Sequence, residues 1–295
     1  GDTVTDADGN VYEVTDSTFK FTVENGEIVK HETVKADENG TYEAEGNKIT
    51  VSDAEKEIST VTISKVTITD GKAEPLSGAK LQIMAVDADN KADTTADLSK
   101  VTANVELTKD ENAKHWLSYT TGEADVVLTG LPAGRYTMIE QAAPAGFEKV
   151  TQFFFEVSAT GEVTLVGVTE DNEAVKLDGG KIVITDKAID VTISKVDITD
   201  GKTELEGAEL VIAPAEGTKV DLSKVTATGG FQKGTFKAEA GKITFVSGKE
   251  ATVLSKLPAG EYTLTEITAP DGFTLKAESI TFKVDAFGKV TVDGK

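Results

Sequence analysis

Cysteine is absent from this 295-residue sequence, and histidine, tryptophan and proline are scarce, with two, one and six residues. Without cysteine the chain can form neither disulfide bonds nor thiolate metal sites, so an exported form must draw its stability from another source. With so few histidines and no nucleophile motif, we predict no turnover enzyme, no cofactor and no bound metal. Hydrophobic runs long enough to span a membrane are also missing, so we expect no membrane insertion.

Positive charge is in short supply as well. The 30 Lys and Arg residues face 51 Asp and Glu, which gives a net charge of −21. Such a balance argues against binding to nucleic acid or to anionic membrane surfaces. The chain opens at Gly1 without a methionine or a signal peptide, and we interpret it as a processed protein or an excerpt of a longer one.

What the sequence does contain is an internal repeat. The stretch "VTISKVTITDGK" begins at Val61, "VTISKVDITDGK" begins at Val191, and both "DLSKVTA" and "LPAG" occur twice. We therefore predict three parts: residues 1–58 as the C-terminal part of a preceding repeat, residues 59–189 as a complete domain, and residues 190–295 as a domain lacking its last strand.

Strands are predicted throughout the chain. Short alternating runs rich in Val, Ile, Thr and Phe are separated by turn signals such as "TDGK", "ENG" and "ATGE", and no convincing helical period interrupts them. The complete repeat is long enough for seven or more strands, which suits a β-sandwich. The predicted fold class is therefore all-β, with tandem immunoglobulin-like sandwiches.

Ionisable residues recur at positions that share a strand face with apolar neighbours. A repeat has a lysine on its first strand, a glutamate on a late strand and an aspartate on its last strand, and the first and last strands of a sandwich can lie side by side. The three side chains can therefore converge in the core. They are Lys65, Glu140 and Asp186 in the complete repeat, Lys195 and Glu266 in the last repeat, and Asp53 in the N-terminal part.

Three interpretations of such a cluster are open. Each charge can cap the end of its strand and reach solvent, or the three can form a buried ion triad at a large desolvation cost. The third is a reaction: burial lowers the pKa of an amine and raises that of a carboxyl. A neutral lysine can then attack the aspartic carboxyl while the glutamic acid polarises the carbonyl and shuttles protons, which forms an amide and releases water.

The stretches "ISKVDITDGKTELEGAEL", "LPAGEYTLTEITAPDGF" and "KIVITD" together resemble the CnaB-type (SpaA-like, prealbumin-like) domains of Gram-positive pilins and surface adhesins. The resemblance implies an intramolecular isopeptide bond that forms autocatalytically, once per domain, with Lys65 as nucleophile, Asp186 as acceptor and Glu140 as catalyst. Many family members use asparagine as the acceptor, and an aspartate releases water rather than ammonia. Lys195 and Glu266 match the same pattern, but no acceptor strand follows them in this sequence.

The same resemblance implies a secreted protein of the Gram-positive cell surface or cell wall, whose domains form a structural stalk or shaft with neighbouring repeats as partners. Wall anchoring follows from the resemblance alone, because the sequence has no LPxTG-type motif. A ligand-binding adhesin that grips a host extracellular protein or glycan is the alternative. Its best candidate is Trp116 in the non-repeated stretch "NAKHWLSY", although a tryptophan in a sandwich more often packs in the core.

Two hypotheses account for the incomplete repeats at the ends. In the first, the chain is an excerpt, and the partners of Asp53, Lys195 and Glu266 lie outside it. In the second, residues 1–58 of one copy complete the last domain of the next, so that Lys195 joins Asp53 in a head-to-tail filament. We favour the excerpt, because residues 19–32 and 280–292 resemble the same strand pair supplied twice.

Overall fold

The computed structural model describes residues 3–5, 11–13, 18–35, 40–45, 48–53, 59–275 and 278–292. These residues form strands, turns and connecting segments without a helix, and hence without a helix that could cross a membrane. The chain divides into two compact units, Gly1–Thr60 and Val61–Lys295. The predicted all-β class is confirmed.

The described part of the first unit consists of three antiparallel hairpins. The hairpin of β3 and β4 turns at Asn25 and Gly26, which have positive φ angles of 51° and 86°, as expected for an Asn-Gly hairpin turn. The strands are β1 (Thr3–Thr5), β2 (Val11–Glu13), β3 (Thr18–Glu24), β4 (Glu27–Lys35), β5 (Gly40–Glu45) and β6 (Lys48–Asp53), paired in that order.

The first sandwich of the second unit comprises twelve strands. They are β7 (Thr60–Thr69), β8 (Lys72–Pro75), β9 (Lys80–Val86), β10 (Thr102–Ala103), β11 (Thr108–Lys109), β12 (Trp116–Thr120), β13 (Val126–Thr129), β14 (Gly134–Ala142), β15 (Phe153–Val157), β16 (Val163–Val166), β17 (Val175–Asp178) and β18 (Lys181–Asp186). One sheet has the order β10-β13-β7-β18-β17, with β8 also paired to β7, and the other has the order β11-β12-β9-β14-β15-β16.

The first and last strands of this sandwich are neighbours. β7 and β18 pair in parallel, with Ile63 opposite Ile182 and Lys65 opposite Ile184. Apolar side chains from both sheets fill the space between them, and Leu81 and Phe155 are fully buried there. This pairing places the first and last strands of the domain side by side.

The second sandwich has its own core and eight described strands. Its longest strand pairs with β20 and β22 through its first half and with β19 and β21 through its second half, so it contributes to both layers. The strands are β19 (Asp190–Ile193), β20 (Glu209–Pro214), β21 (Thr226–Phe231), β22 (Lys237–Glu239), β23 (Lys242–Ser255), β24 (Gly260–Thr268), β25 (Ile280–Val284) and β26 (Val290–Val292).

The repeated "LPAG" motif has the same structural role in both sandwiches. The hydroxyl of Tyr136 donates a hydrogen bond of 2.6 Å to the carbonyl of Pro132, and that of Tyr262 donates one of 2.6 Å to Pro258. Such a tyrosine corner fixes the entry into the following strand. The two cores fall within residues 61–184 and 189–284; the exact domain boundaries at 58/59 and 189/190 stay a prediction.

Candidate functional site

The core of the first sandwich contains three ionisable side chains. Lys65 on β7 and Asp186 at the end of β18 come from one sheet, and Glu140 on β14 comes from the other. Their exposed fractions, taken over the whole residue, are 5% for Lys65, 3% for Glu140 and 1% for Asp186. The structure therefore brings the three predicted residues together, and it buries them instead of leaving them at solvent-facing strand ends.

The three side chains are in direct contact. Lys65 Nζ donates a hydrogen bond to Asp186 Oδ1 and lies 3.0 Å from Glu140 Oε1. The backbone N–H of Val150 donates a hydrogen bond of 2.7 Å to Glu140 Oε2. Asp186 Oδ2 is buried and has no hydrogen-bond partner among the described residues. The amine thus lies between two carboxyls, and one of these is held by a backbone amide.

Burial favours the protonated form of the acceptor. The pKa of the Asp186 carboxyl is raised from 3.8 to about 7, chiefly by burial; the positive charge of Lys65 opposes this rise and the neighbouring Glu140 adds to it. Loss of solvent penalises a charged carboxylate, and a second carboxylate nearby adds repulsion. An uncharged carboxyl is the form in which a carboxylic acid can lose its hydroxyl group as water.

The second sandwich contains a more open version of this cluster. Lys195 Nζ lies 3.3 Å from Glu266 Oε1, but the lysine side chain is 22% exposed, against 1% for that of Lys65. β19 ends at Ile193, so Lys195 follows the strand instead of lying within it. The structure brings these two predicted residues together, and the backbone N–H of Lys195 donates a hydrogen bond of 3.1 Å to the carboxylate of Glu204.

Two further predicted residues lie elsewhere. Asp53 ends β6, with its backbone opposite Gly40, and its side chain lies outside the described residues. Trp116 begins β12 opposite Met84 and is half-buried.

Sequence reasoning missed the contact that holds Glu140. The donor is the main chain of Val150, and a backbone N–H leaves no mark on the identity of the side chain. The only signal in the sequence is that Glu140 and Glu266 precede "APAGF" and "APDGF", respectively, by the same number of residues. That spacing indicates the same turn after each glutamate but not which amide reaches the carboxyl.

Comparison with known proteins identifies the domains. The sequence model of the SpaA prealbumin-like fold domain matches residues 59–172 and again residues 189–295. No curated protein matches the chain.

Several solved structures are similar to this chain. The C-terminal fragment of the pilus adhesin SpaC from Lactobacillus rhamnosus GG is 21% identical, with 81% of this chain and 87% of that chain covered and a TM-score of 0.36. The shaft pilin SpaA from the same organism is 19% identical, with coverage of 78% and 94% and a TM-score of 0.30. GBS52, the minor pilin of Streptococcus agalactiae, is 16% identical, with coverage of 80% and 91% and a TM-score of 0.29.

Proposed function

The chain belongs to the SpaA prealbumin-like fold family, and from this premise we propose that its sandwiches are structural stalk or shaft domains of a Gram-positive pilin or surface adhesin. In this proposal the protein is secreted to the cell surface, its partners are neighbouring repeats, and its chemistry is a single autocatalytic crosslink per complete domain. The observation that carries the proposal is the buried cluster of Lys65, Glu140 and Asp186.

The proposed reaction joins Lys65 to Asp186. The neutral amine attacks the carboxyl carbon of Asp186, a C–N bond forms, and the C–O bond to the hydroxyl group breaks. Glu140, within 3.0 Å of the amine, takes a proton from the nitrogen and passes it to the departing hydroxyl, so one water leaves. A permanently buried charge cluster is costly, and the crosslink removes two of its three ionisable groups.

Intact-mass measurement tests this proposal directly. The native chain should be lighter than its sequence by one water, and a proteolytic fragment should contain the peptides of Lys65 and Asp186 joined by an amide. Glu140→Ala should abolish the loss or slow it strongly. Glu266→Ala is the matched control, because it removes the corresponding carboxyl of the second sandwich and should leave the bond in the first intact.

The acceptor can be tested by a substitution that changes only the leaving group. Asp186→Asn should still crosslink but release ammonia, so its crosslinked product has the same mass as the crosslinked native chain. Asp186→Ala should keep its full sequence mass. A folded native chain at full sequence mass would rule out the crosslink.

A further inference from the structure

Residues 146–150, which we call the docking segment, contact both the reactive cluster and the second sandwich. At the end of the segment, the N–H of Val150 holds Glu140 Oε2 at 2.7 Å. At its centre, the N–H of Glu148 donates to the carbonyl of Lys187 at 2.8 Å, and Lys187 directly follows the acceptor Asp186. The docking segment therefore contacts both carboxyl-bearing strands of the cluster.

The other side of the docking segment faces the second sandwich. The N–H of Lys149, next to Val150, donates a hydrogen bond of 2.8 Å to the carbonyl of Ala286. At the start of the segment, the carbonyl of Gly146 accepts a hydrogen bond of 2.9 Å from the N–H of Ile189, a core residue of the second sandwich. Adjacent backbone amides thus bind the glutamate of one sandwich and a turn of the other.

Contact with the second sandwich is close as well as polar. A methyl group on Gly146 would lie 2.5 Å from the carbonyl oxygen of Lys256, a distance that neither backbone tolerates. The amine of Lys256 lies 5.7 Å from the centre of the Phe147 ring, within the range of a cation–π contact. Glycine at position 146 is therefore required both by its φ of +87° and by this approach.

The second sandwich has its own copy of the segment in a different environment. The turn is the same in both copies. The N–H of Phe147 donates a hydrogen bond of 3.1 Å to the carbonyl of Pro144, and the N–H of Phe273 donates one of 3.0 Å to the carbonyl of Pro270. However, a methyl group on Gly272 would meet no described atom within 4 Å, and Phe273 is 43% exposed. An exposed Phe273 thus accompanies the more open of the two lysine–glutamate pairs.

We propose that the second sandwich, by packing on the docking segment, positions Glu140 for crosslinking in the first sandwich. The inference rests on the proposed function and adds a dependence to it: Lys65 and Asp186 join rapidly only after the following sandwich has folded and docked. Lys256 and Gly146 are positioning residues in this scheme, because they act on Glu140 through the backbone of Val150.

The test is a time course of water loss in the full chain. A short pulse of cell-free synthesis, a chase and an acid quench give the crosslinked fraction by intact mass, while circular dichroism reports folding. Lys256→Asp should slow crosslinking roughly tenfold or more, as expected for a catalytic group displaced by about an ångström. Aspartate tolerates the left-handed backbone of this residue, whose φ is +63°, and Lys256→Arg should restore the native rate.

Matched controls separate docking from general damage. Lys249→Asp makes the same charge change on an 83% exposed side chain of the second sandwich and should leave the rate unchanged. Gly146→Ala should slow the reaction as Lys256→Asp does. Gly78→Ala imposes the same backbone strain at φ +90° with no described atom within 4 Å of the new methyl group, and it should crosslink at the native rate.

The outcomes distinguish this inference from its premise. Slow crosslinking in Lys256→Asp, with native rates in Lys256→Arg and Lys249→Asp, supports positioning by the second sandwich. Native rates in both Lys256→Asp and Gly146→Ala would overturn the inference and leave the crosslink standing. A native chain that never loses water would overturn both.

Discussion

At the scale of single residues, the two sandwiches differ at one matching position in the sheet that carries the glutamate. Tyr119 pairs with Leu81, which pairs with Glu140 on its other side. In the second sandwich Phe245 pairs with Leu210, which pairs with Glu266 on its other side. The hydroxyl of Tyr119 is buried without a hydrogen-bond partner among the described residues, and burial raises its pKa above the ordinary value.

Tyr119→Phe should therefore leave the first sandwich as stable as before or make it more stable by about 1 kcal/mol, since it removes a buried hydroxyl that has no partner. Tyr136→Phe is the matched control, because the hydroxyl of Tyr136 donates a hydrogen bond to the carbonyl of Pro132. Loss of this bond should lower the free energy of unfolding by about 1 kcal/mol. Urea unfolding measures both variants. A clear destabilisation by Tyr119→Phe would show that the hydroxyl has a partner that this geometry does not reveal.

The Asp186 carboxyl should make an uncrosslinked chain sensitive to pH. Its pKa is about 7 in the folded chain against an ordinary 3.8, so the folded state holds the proton more tightly than the unfolded state does. The contribution of this carboxyl to stability is therefore fully present below pH 3.8 and is lost as the pH rises through about 7. Lys65→Met traps the uncrosslinked chain and removes the cation that lowers this pKa, so the decline should extend to pH 7 or above.

The comparison that isolates this effect is Lys65→Met against Lys65→Met/Asp186→Asn. Urea unfolding between pH 4 and pH 8 should show the decline in the first chain and lose most of it in the second, because asparagine does not titrate. The slopes contributed by the other carboxyls are common to both chains. Equal pH profiles would mean that Asp186 titrates alike in the folded and unfolded states.

Residue identity and strand alternation were sufficient to predict that the three ionisable side chains share a strand face with apolar neighbours. Lys65, Glu140 and Asp186 each lie two positions from a buried apolar residue on the same strand, which is the pattern that pointed inward. The role of Val150 could not be predicted, because its contribution is a main-chain N–H whose position depends on how the docking segment folds. The acceptor's pKa likewise depends on the three-dimensional proximity of groups far apart in sequence.

At the scale of elements, a buried hydroxyl fixes the segment before the second long strand of each sandwich. Thr121 Oγ1 donates to the carbonyl of Leu76 at 2.9 Å and accepts from the N–H of Ala79 at 3.0 Å. Ser247 does the same for Leu205 and Ala208 in the second sandwich. The two copies therefore use different residues for one bridge between a connecting segment and a strand.

Thr121→Val keeps the shape of the side chain but leaves the buried N–H of Ala79 without a partner, which should destabilise the first sandwich by about 2 kcal/mol. Hydrogen exchange at the Ala79 amide should accelerate accordingly. Thr120→Val, one residue earlier on an exposed position, is the control and should change stability little. Unchanged exchange at Ala79 in Thr121→Val would contradict the bridge.

The sequence predicted the type of each element more readily than which faces of that element are buried. Alternation predicted strands and which side chains share a face, but Ser64 and Val66 on the opposite face of β7 are buried too. Whether a second face is covered depends on segments distant along the chain, which local periodicity does not report. The division of β23 between two layers could not be predicted for the same reason. The alternation of apolar and polar residues continues along β23 past the point where its partner strand changes.

At the scale of the whole molecule, the proposed crosslink determines which residues bear load. Lys65 lies near the start of the first sandwich and Asp186 near its end, 121 positions apart, on adjacent parallel strands. Tension that enters at β7 would cross the amide bond and leave through the residues after β18. The strands between them would carry almost none of it, so the sandwich could not be extended by pulling on its ends.

Single-molecule stretching of residues 61–295 as part of the full chain should make this visible. The native chain should show no extension from the first sandwich, whereas Glu140→Ala should release the 121 positions between Lys65 and Asp186, a gain of roughly 40 nm at full extension. The covalent bridge does not break at forces that unfold a sandwich, so the difference is all or none for each molecule. Glu266→Ala, which leaves the first cluster untouched, should behave like the native chain in this respect. A 40 nm step in the native chain, at the same frequency as in Glu140→Ala, would mean that the first sandwich bears load through its hydrogen bonds alone.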